Sequence, residues 1–480
     1  MASEPKNPHR TLRGLIWLYL FLLIFEGAAR KWIVPSLSNQ LLLIRDPVVL
    51  AIYFMALISG VFPFKNGWII VIIGLGAITL GASVLAENFK LAVALFGFRT
   101  NFLHLPLIFV MAEVLNLDDI RWVGKWIIIT AIPMAYLMAA QFKVGEGHWL
   151  NAGAGEGASQ IISAMGKLRA SGTFSFITGP VLFFPMVAGF LFYSQLKRQT
   201  YHWTLVWLGF KCVGLAAAIA GSRSLLGSIA LEALGFFVAV LCHPPSFARS
   251  FRIVVLCGMT YVAISAFDLF KEATNVMKVR IEQAGQGSPG FWSRIAQGFD
   301  ADLRNATLFG KGLGVGTNAG AAMLGRRGQF LIAENEWQRI TGESGFLLGP
   351  AYILLRLGIA GLLLLVSLQQ ARAGNLMPML MASAIGTAFV NGQFSPPTVL
   401  GFAVFGAGCC LAAANTDVRE VQAGNVDEKE SPDLIRTRKR ARFETPATVN
   451  PAGVSPVRPA RPTPQPGRWT VRPPGHETKV

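Results

Sequence analysis

The residues with the most chemical potential in this sequence are arginines at the ends of apolar stretches. Arg99 opens one such stretch with Asn101, and His104 follows about one turn later. Arg169 lies in Lys167-Leu-Arg-Ala-Ser-Gly-Thr-Phe174, and Arg223 in the turn Gly221-Ser-Arg-Ser224 between two further stretches. A guanidinium keeps its charge and presents a fork of N–H donors, so arginines gathered at a membrane boundary can grip a phosphate, while any one of them can equally anchor a lipid headgroup. A second constellation is Ala333-Glu-Asn-Glu-Trp-Gln-Arg-Ile-Thr-Gly-Glu-Ser-Gly345. Glu334, Gln338 and Ser344 fall roughly on one helical face, and Glu336, Arg339 and Glu343 on another. Such a helix, ending at a membrane surface, would aim carboxylates at an outer cavity or form a solvated cap over the fold.

The composition says what must position these groups. The chain has 480 residues and a net charge of +17, a balance often seen in nucleic-acid binders. Yet 52% of residues are hydrophobic and only 14% charged, with a mean hydropathy of +0.47, too few charges to cover a water-soluble fold of this size. The expectation is an all-α integral membrane protein that binds no nucleic acid. Twelve segments are apolar enough to cross a bilayer: 12–29, 47–62, 67–86, 99–116, 122–142, 176–194, 203–221, 225–242, 252–269, 345–368, 376–391 and 397–415, with 87–98 a candidate re-entrant piece. The first reads as an uncleaved anchor. The alternative, a signal peptide ending at Gly27-Ala28-Ala29, leaves the sidedness unchanged. The five cysteines, Cys212, Cys242, Cys257, Cys409 and Cys410, lie in apolar runs and imply neither a disulfide framework nor a metal site.

Lysine and arginine in the short loops set the orientation. Lys65, Lys197-Arg198, Arg249 with Arg252, and Arg372 fall on one side when the N-terminus is cytoplasmic. Both termini are then inside, and loops 143–175 and 270–344 are periplasmic. Residues 416–480 hold 10 of the 26 prolines and the basic run Ile435–Arg442, and read as a disordered cytoplasmic tail that touches anionic lipid or is simply solvated. The excess charge is thus mostly a topological signal. No internal repeat is evident.

Ionisable residues inside spans are costly and usually paired or functional. Lys211 and Glu232 lie at similar depths in two spans joined by a tight turn, so the geometry allows an interhelical pair, either structural or a proton relay. Arg356 lies deep in the tenth span and Glu113 near the inner end of the fourth. Glu26 and Arg30 have the i,i+4 spacing of a local pair. In the second long loop, Phe309-Gly-Lys-Gly-Leu-Gly-Val-Gly316 matches neither a phosphate-binding Walker loop nor GxGxxG, and reads as a glycine-rich backbone turn.

Four pieces together resemble the O-antigen polymerase and O-antigen ligase superfamily of bacterial membrane glycosyltransferases. They are Arg169-Ala-Ser-Gly-Thr-Phe followed by Thr178-Gly-Pro, then Gly221-Ser-Arg-Ser224, then Leu308-Phe-Gly-Lys-Gly-Leu-Gly314, and last the loop-to-helix junction. The resemblance is best from about Lys167 to Ala360. In the family the junction often reads His-Asn, then Glu-x-Gly nine residues on; here it reads Glu334-Asn335, then Glu343-Ser-Gly345. The resemblance implies a glycan donor on a polyprenyl pyrophosphate, bound at the outer face of the inner membrane, and an inverting transfer with no cofactor and no obligatory metal. Arg169, Arg223 and Arg99 would hold the pyrophosphate. Glu334, in place of the family's histidine, would take the acceptor's proton, with Asn335, Arg339 and Glu343 in support. Membrane lipids and a chain-length regulator are the implied partners. A polymerase is favoured over a ligase because the ligase histidine is replaced; a flippase or secondary transporter using Lys211 and Glu232 is the alternative of another class.

Overall fold

The computed structural model describes residues 9–86, 89–154, 164–197, 200–243, 247–285, 308–325, 332 and 335–430. Among them the elements are all helical. The principal ones are α1 (Arg10–Ala28), α2 (Arg45–Ile58), α3 (Gly67–Ser83), α4 (Leu91–Phe98), α5 (Leu107–Val114), α6 (Leu117–Lys143), α7 (Thr178–Leu196), α8 (Trp203–Ile219), α9 (Arg223–Cys242), α10 (Phe247–Ser265), α11 (Asp268–Gly285), α12 (Asn318–Met323), α13 (Glu336–Arg372), α14 (Met377–Asn391) and α15 (Pro397–Glu430).

Each of the twelve expected apolar segments is helical. Eight spans are long and apolar enough to cross a membrane, and the bent pair α10–α11, which turns through 103°, can form a ninth. The apolar helices α3, α8 and α14 are shorter, at 17, 17 and 15 residues. At ~1.5 Å per residue they measure about 22–26 Å against a hydrocarbon core of ~30 Å. The protein is therefore an α-helical, multi-pass membrane protein.

Helix α7 is central: it packs on α6, α8, α9 and α14 and is apolar on every face, as a helix enclosed by neighbours must be. The start of α15 is buried to a similar degree, with Phe402 meeting Phe174 and Phe183. By contrast, the span that contains α2 buries little of its surface and turns most of it outward, as a helix facing lipid would.

Two expectations are corrected. The fourth span does not start at residue 99. Leu91–Phe98, read as a possible re-entrant piece, continues through a π-helical turn, Arg99–Leu103, into α5, so one span covers Leu91–Val114. Lys211 and Glu232 do not pair. The Lys211 ammonium sits 3.3 Å from the centre of the Trp207 ring, and the Glu232 carboxylate accepts a hydrogen bond from the Ser383 hydroxyl. Helix α15 runs on to Glu430, into the segment expected as the tail. The remainder of 416–480 lies outside the described residues. The two long loops also carry structure where described: 3-10 turns at Trp149–Asn151 and Ala164–Gly166 in the first, and α11, the glycine-rich turn and α12 in the second.

Candidate functional site

The charge of Arg223 acts on Arg169. Arg169 stands on the stretch between α6 and α7, and Arg223 is the first residue of α9. Burial and then the Arg223 charge push the Arg169 guanidinium below its ordinary pKa. The Arg169 Nε is buried and has no hydrogen-bond partner. Among the described residues neither arginine forms an ion pair, and the first turn of α9 contains no acidic residue. The positive end of that helix dipole adds to the two charges. Two interacting like charges without a carboxylate are unfavourable alone and are relieved by an anion.

The Arg169 stretch is held rigidly from two sides. The buried Lys31 ammonium, on the π-helical turn Ala29–Ile33 after α1, donates to Ser171 Oγ (3.1 Å), the Gly172 carbonyl (2.7 Å) and the Phe174 carbonyl (2.9 Å). From α6, Gln141 accepts from the Gly172 N–H at 2.8 Å and donates to the Gly172 and Leu150 carbonyls. Gly172 has φ +60°, which a side chain would oppose, and a Cβ there would strike Met134. Gly27 lets α1 touch the backbone of Thr173–Ser175, where any side chain would collide.

The junction at the head of α13 is a buried ionic network. Asn335 caps the helix by accepting from the Trp337 N–H at 3.1 Å. Arg339 donates through Nε and Nη2 to Glu336, both at 2.9 Å, through Nη1 to Glu343 at 2.8 Å, and through Nη2 to Asn101 Oδ1 at 3.1 Å. Arg356, beyond a break at Gly345, donates to Glu336 at 2.9 Å and to the carbonyls of Ala388, Phe389 and Gly392 that end α14, where the helix dipole favours a cation. Glu343 also accepts the Gly316 N–H at 2.9 Å. Gly310, Gly312 and Gly314 all have positive φ, so the glycine-rich stretch is the backbone turn the alternating glycines suggested. It docks on the Gly345 break through Lys311 N–H to the Gly342 carbonyl and Gly312 N–H to the Glu343 carbonyl.

Arg99 belongs to a third group. It lies eight residues into the Leu91–Val114 span, ~12 Å along the helix, and not at its end. Its Nε meets Asp46 at 2.7 Å and its Nη2 the Leu42 carbonyl at 2.9 Å. Asp46 also contacts His104 (2.9 Å), His104 contacts the Tyr19 hydroxyl (3.1 Å), and Arg45 joins Tyr19 to Glu26. The expected Glu26–Arg30 pair is present at 3.6 Å. The two π-helical turns carry Arg30, Lys31, Arg99 and Asn101, of which Lys31, Arg99 and Asn101 are buried.

The predicted residues thus separate. Arg169 feels the charge of Arg223; Asn335, Arg339 and Glu343 form part of the α13 network; Arg99 is engaged elsewhere by Asp46. Two expectations are corrected here. Arg99 is not at the outer end of its span, where it was expected to join the other two arginines. Glu336 and Glu343 do not face a cavity or solvent, since both are fully enclosed and bound to Arg339. Glu334 lies outside the described residues. Sequence reasoning missed Lys31 and Gln141. A lysine directly after the first span was a visible signal; Gln141, inside an apolar helix, left only its polarity. The fold and its buried charges define the class, an α-helical multi-pass membrane protein. No family model and no curated protein matches the chain.

Proposed function

We propose that the protein is a polymerase-like glycosyltransferase of a bacterial inner membrane, with both termini cytoplasmic and up to twelve crossings, which transfers glycan units from a polyprenyl pyrophosphate at the outer face. The observation that carries this reading is the buried Arg169 Nε, which has no hydrogen-bond partner and feels the charge of Arg223 at the head of α9, with no carboxylate paired to either arginine among the described residues. A pyrophosphate supplies the charge such a pair lacks. In the transfer, the acceptor hydroxyl attacks the anomeric carbon and gives its proton to the Glu334 carboxylate. The bond from that carbon to the pyrophosphate oxygen breaks, and the two guanidinium groups hold the growing negative charge. Attack from the face opposite the leaving group inverts the anomeric configuration. The α13 network fixes the helix that follows Glu334.

The replacement of the family's histidine by Glu334 favours extension of a glycan over ligation to a lipid or protein. With Lys211 and Glu232 apart, the flippase or transporter alternative loses the midplane pair on which it stood. The test is donor binding by the purified protein in lipid nanodiscs. Arg169→Ala and Arg223→Ala should each weaken binding of undecaprenyl pyrophosphate at least tenfold, about 1.4 kcal/mol. Unchanged binding in both would reject the site.

A further inference from the structure

A pinned aromatic corner lies beside the Arg169 stretch. Trp149 is 65% exposed on the 3-10 turn Trp149–Asn151, past the end of α6. Its ring meets that of Trp32 nearly edge-on, with centroids 6.4 Å apart and planes at 74°. Exposure alone decides nothing in a membrane protein: Tyr136, within α6, is more exposed and would face lipid. Trp149 differs in two ways. It stands on a loop beyond the helix ends, and nearly every backbone group around it is fixed. The Trp149 carbonyl accepts the Trp32 indole N–H at 3.2 Å, the Leu150 N–H binds His148 Nδ1, and the Leu150 carbonyl accepts from Gln141. Asn151 then donates to the carbonyls of Gln141, Val144 and Gly145.

The corner is also tied to the arginine stretch. Gln141, which holds the Trp149 turn, holds Gly172 as well, and Lys31, which holds Gly172, precedes Trp32. Gly172 is three residues from Arg169, at most ~11 Å of chain. A large, rigid, exposed indole costs little entropy to use as a contact, and its face suits the apolar C–H face of a pyranose ring while leaving the hydroxyls wet. Glu146 and His148, both exposed in the residues just before that turn, stand near enough in the chain to meet such hydroxyls.

We propose that Trp149, backed by Trp32, is a saccharide subsite that stacks a sugar of the glycan whose pyrophosphate the two arginines hold. The proposal rests on the transferase reading above. A lipid-headgroup belt is the competing use of an interfacial indole.

The experiment measures binding of two probes to the full-length protein in nanodiscs: bare undecaprenyl pyrophosphate, and the same carrier bearing the glycan extracted from the native cell envelope. Trp149→Ala should lower affinity for the glycosylated carrier about tenfold, leave the bare carrier unchanged, and be largely rescued by Trp149→Phe. Arg169→Ala should weaken both probes. Equal loss of both probes in Trp149→Ala would overturn the subsite in favour of a headgroup belt. No loss in Trp149→Ala, with both probes weakened in Arg169→Ala, would overturn the subsite and leave the transferase reading standing. No effect of Arg169→Ala on either probe would remove the reading itself. A monodisperse elution profile and unchanged thermal midpoint confirm that the surface variant is folded.

Discussion

Removal of Arg339 should expose how much the α13 network contributes. The guanidinium bridges two carboxylates, Glu336 and Glu343, neither of which has measurable exposure to speak of, and it reaches Asn101 on the Leu91–Val114 span. In Arg339→Met the apolar stem is kept and the charge lost. Glu336 retains Arg356 and the Phe394 N–H, but among the described residues the Glu343 carboxylate keeps the Gly316 N–H alone. The balanced set of two acids and two bases becomes net negative inside the protein. Breaking a buried ionic cluster by removing one member costs roughly 3–5 kcal/mol. For a chain of this size that is a fall in thermal midpoint of a few degrees to about 10 °C, scaled from the ~2–4 °C per kcal/mol of smaller domains. The assay is thermal unfolding in nanodiscs, followed by tryptophan fluorescence. Glu343→Gln added to Arg339→Met should restore part of the loss, with a coupling of at least ~1 kcal/mol, since it removes the stranded charge. A midpoint within a degree of wild type for Arg339→Met, or strict additivity in the double variant, would refute the reasoning.

Gly345→Ala should destabilise by about 1–3 kcal/mol in the same assay, because φ 78° and ψ −175° at the α13 break belong to a region that side chains oppose. Lys31→Met should remove a donor from three acceptors on the Arg169 stretch, of which, among the described residues, the Gly172 carbonyl alone keeps another donor, Gln141. It should raise the half-saturating donor concentration more than it lowers the midpoint, and Lys31→Arg should recover part of the binding. Glu232→Gln should fall within ~1 kcal/mol of wild type, since the acid has no cation partner among the described residues and its amide can still bind Ser383; a larger loss would point to an ionic role. The Lys211→Met/Glu232→Gln double variant should retain surface polysaccharide in cells.

The apolar helices were legible because hydropathy averaged over ~20 residues is a local property. The pair Glu26–Arg30 was legible for the same reason, lying on one helix face. What completes it, Arg45 and Tyr19, depends on how α1 meets α2 and leaves no trace in spacing. Arg99 was misplaced because the eight apolar residues before it are too few to signal a span alone, and a π-helical turn that joins them to α5 has no simple sequence signature. Arg356 and Glu336 are twenty residues apart across the Gly345 break, a separation at which helical phase says nothing. Arg169 and Arg223 were singled out by type and position, and the action of one charge on the other is the part of the candidate site that the sequence could only suggest.

The most direct test is transfer itself. Purified protein in nanodiscs, supplied with polyprenyl-pyrophosphate-linked repeat units, should lengthen the glycan. Arg169→Ala and Arg223→Ala should each lower the rate by roughly a hundredfold, as loss of a charge-stabilising donor does, and Glu334→Ala should lower it on the same scale as loss of a general base. Normal transfer by all three variants, or none by the wild-type protein with an intact donor, would contradict the proposed activity.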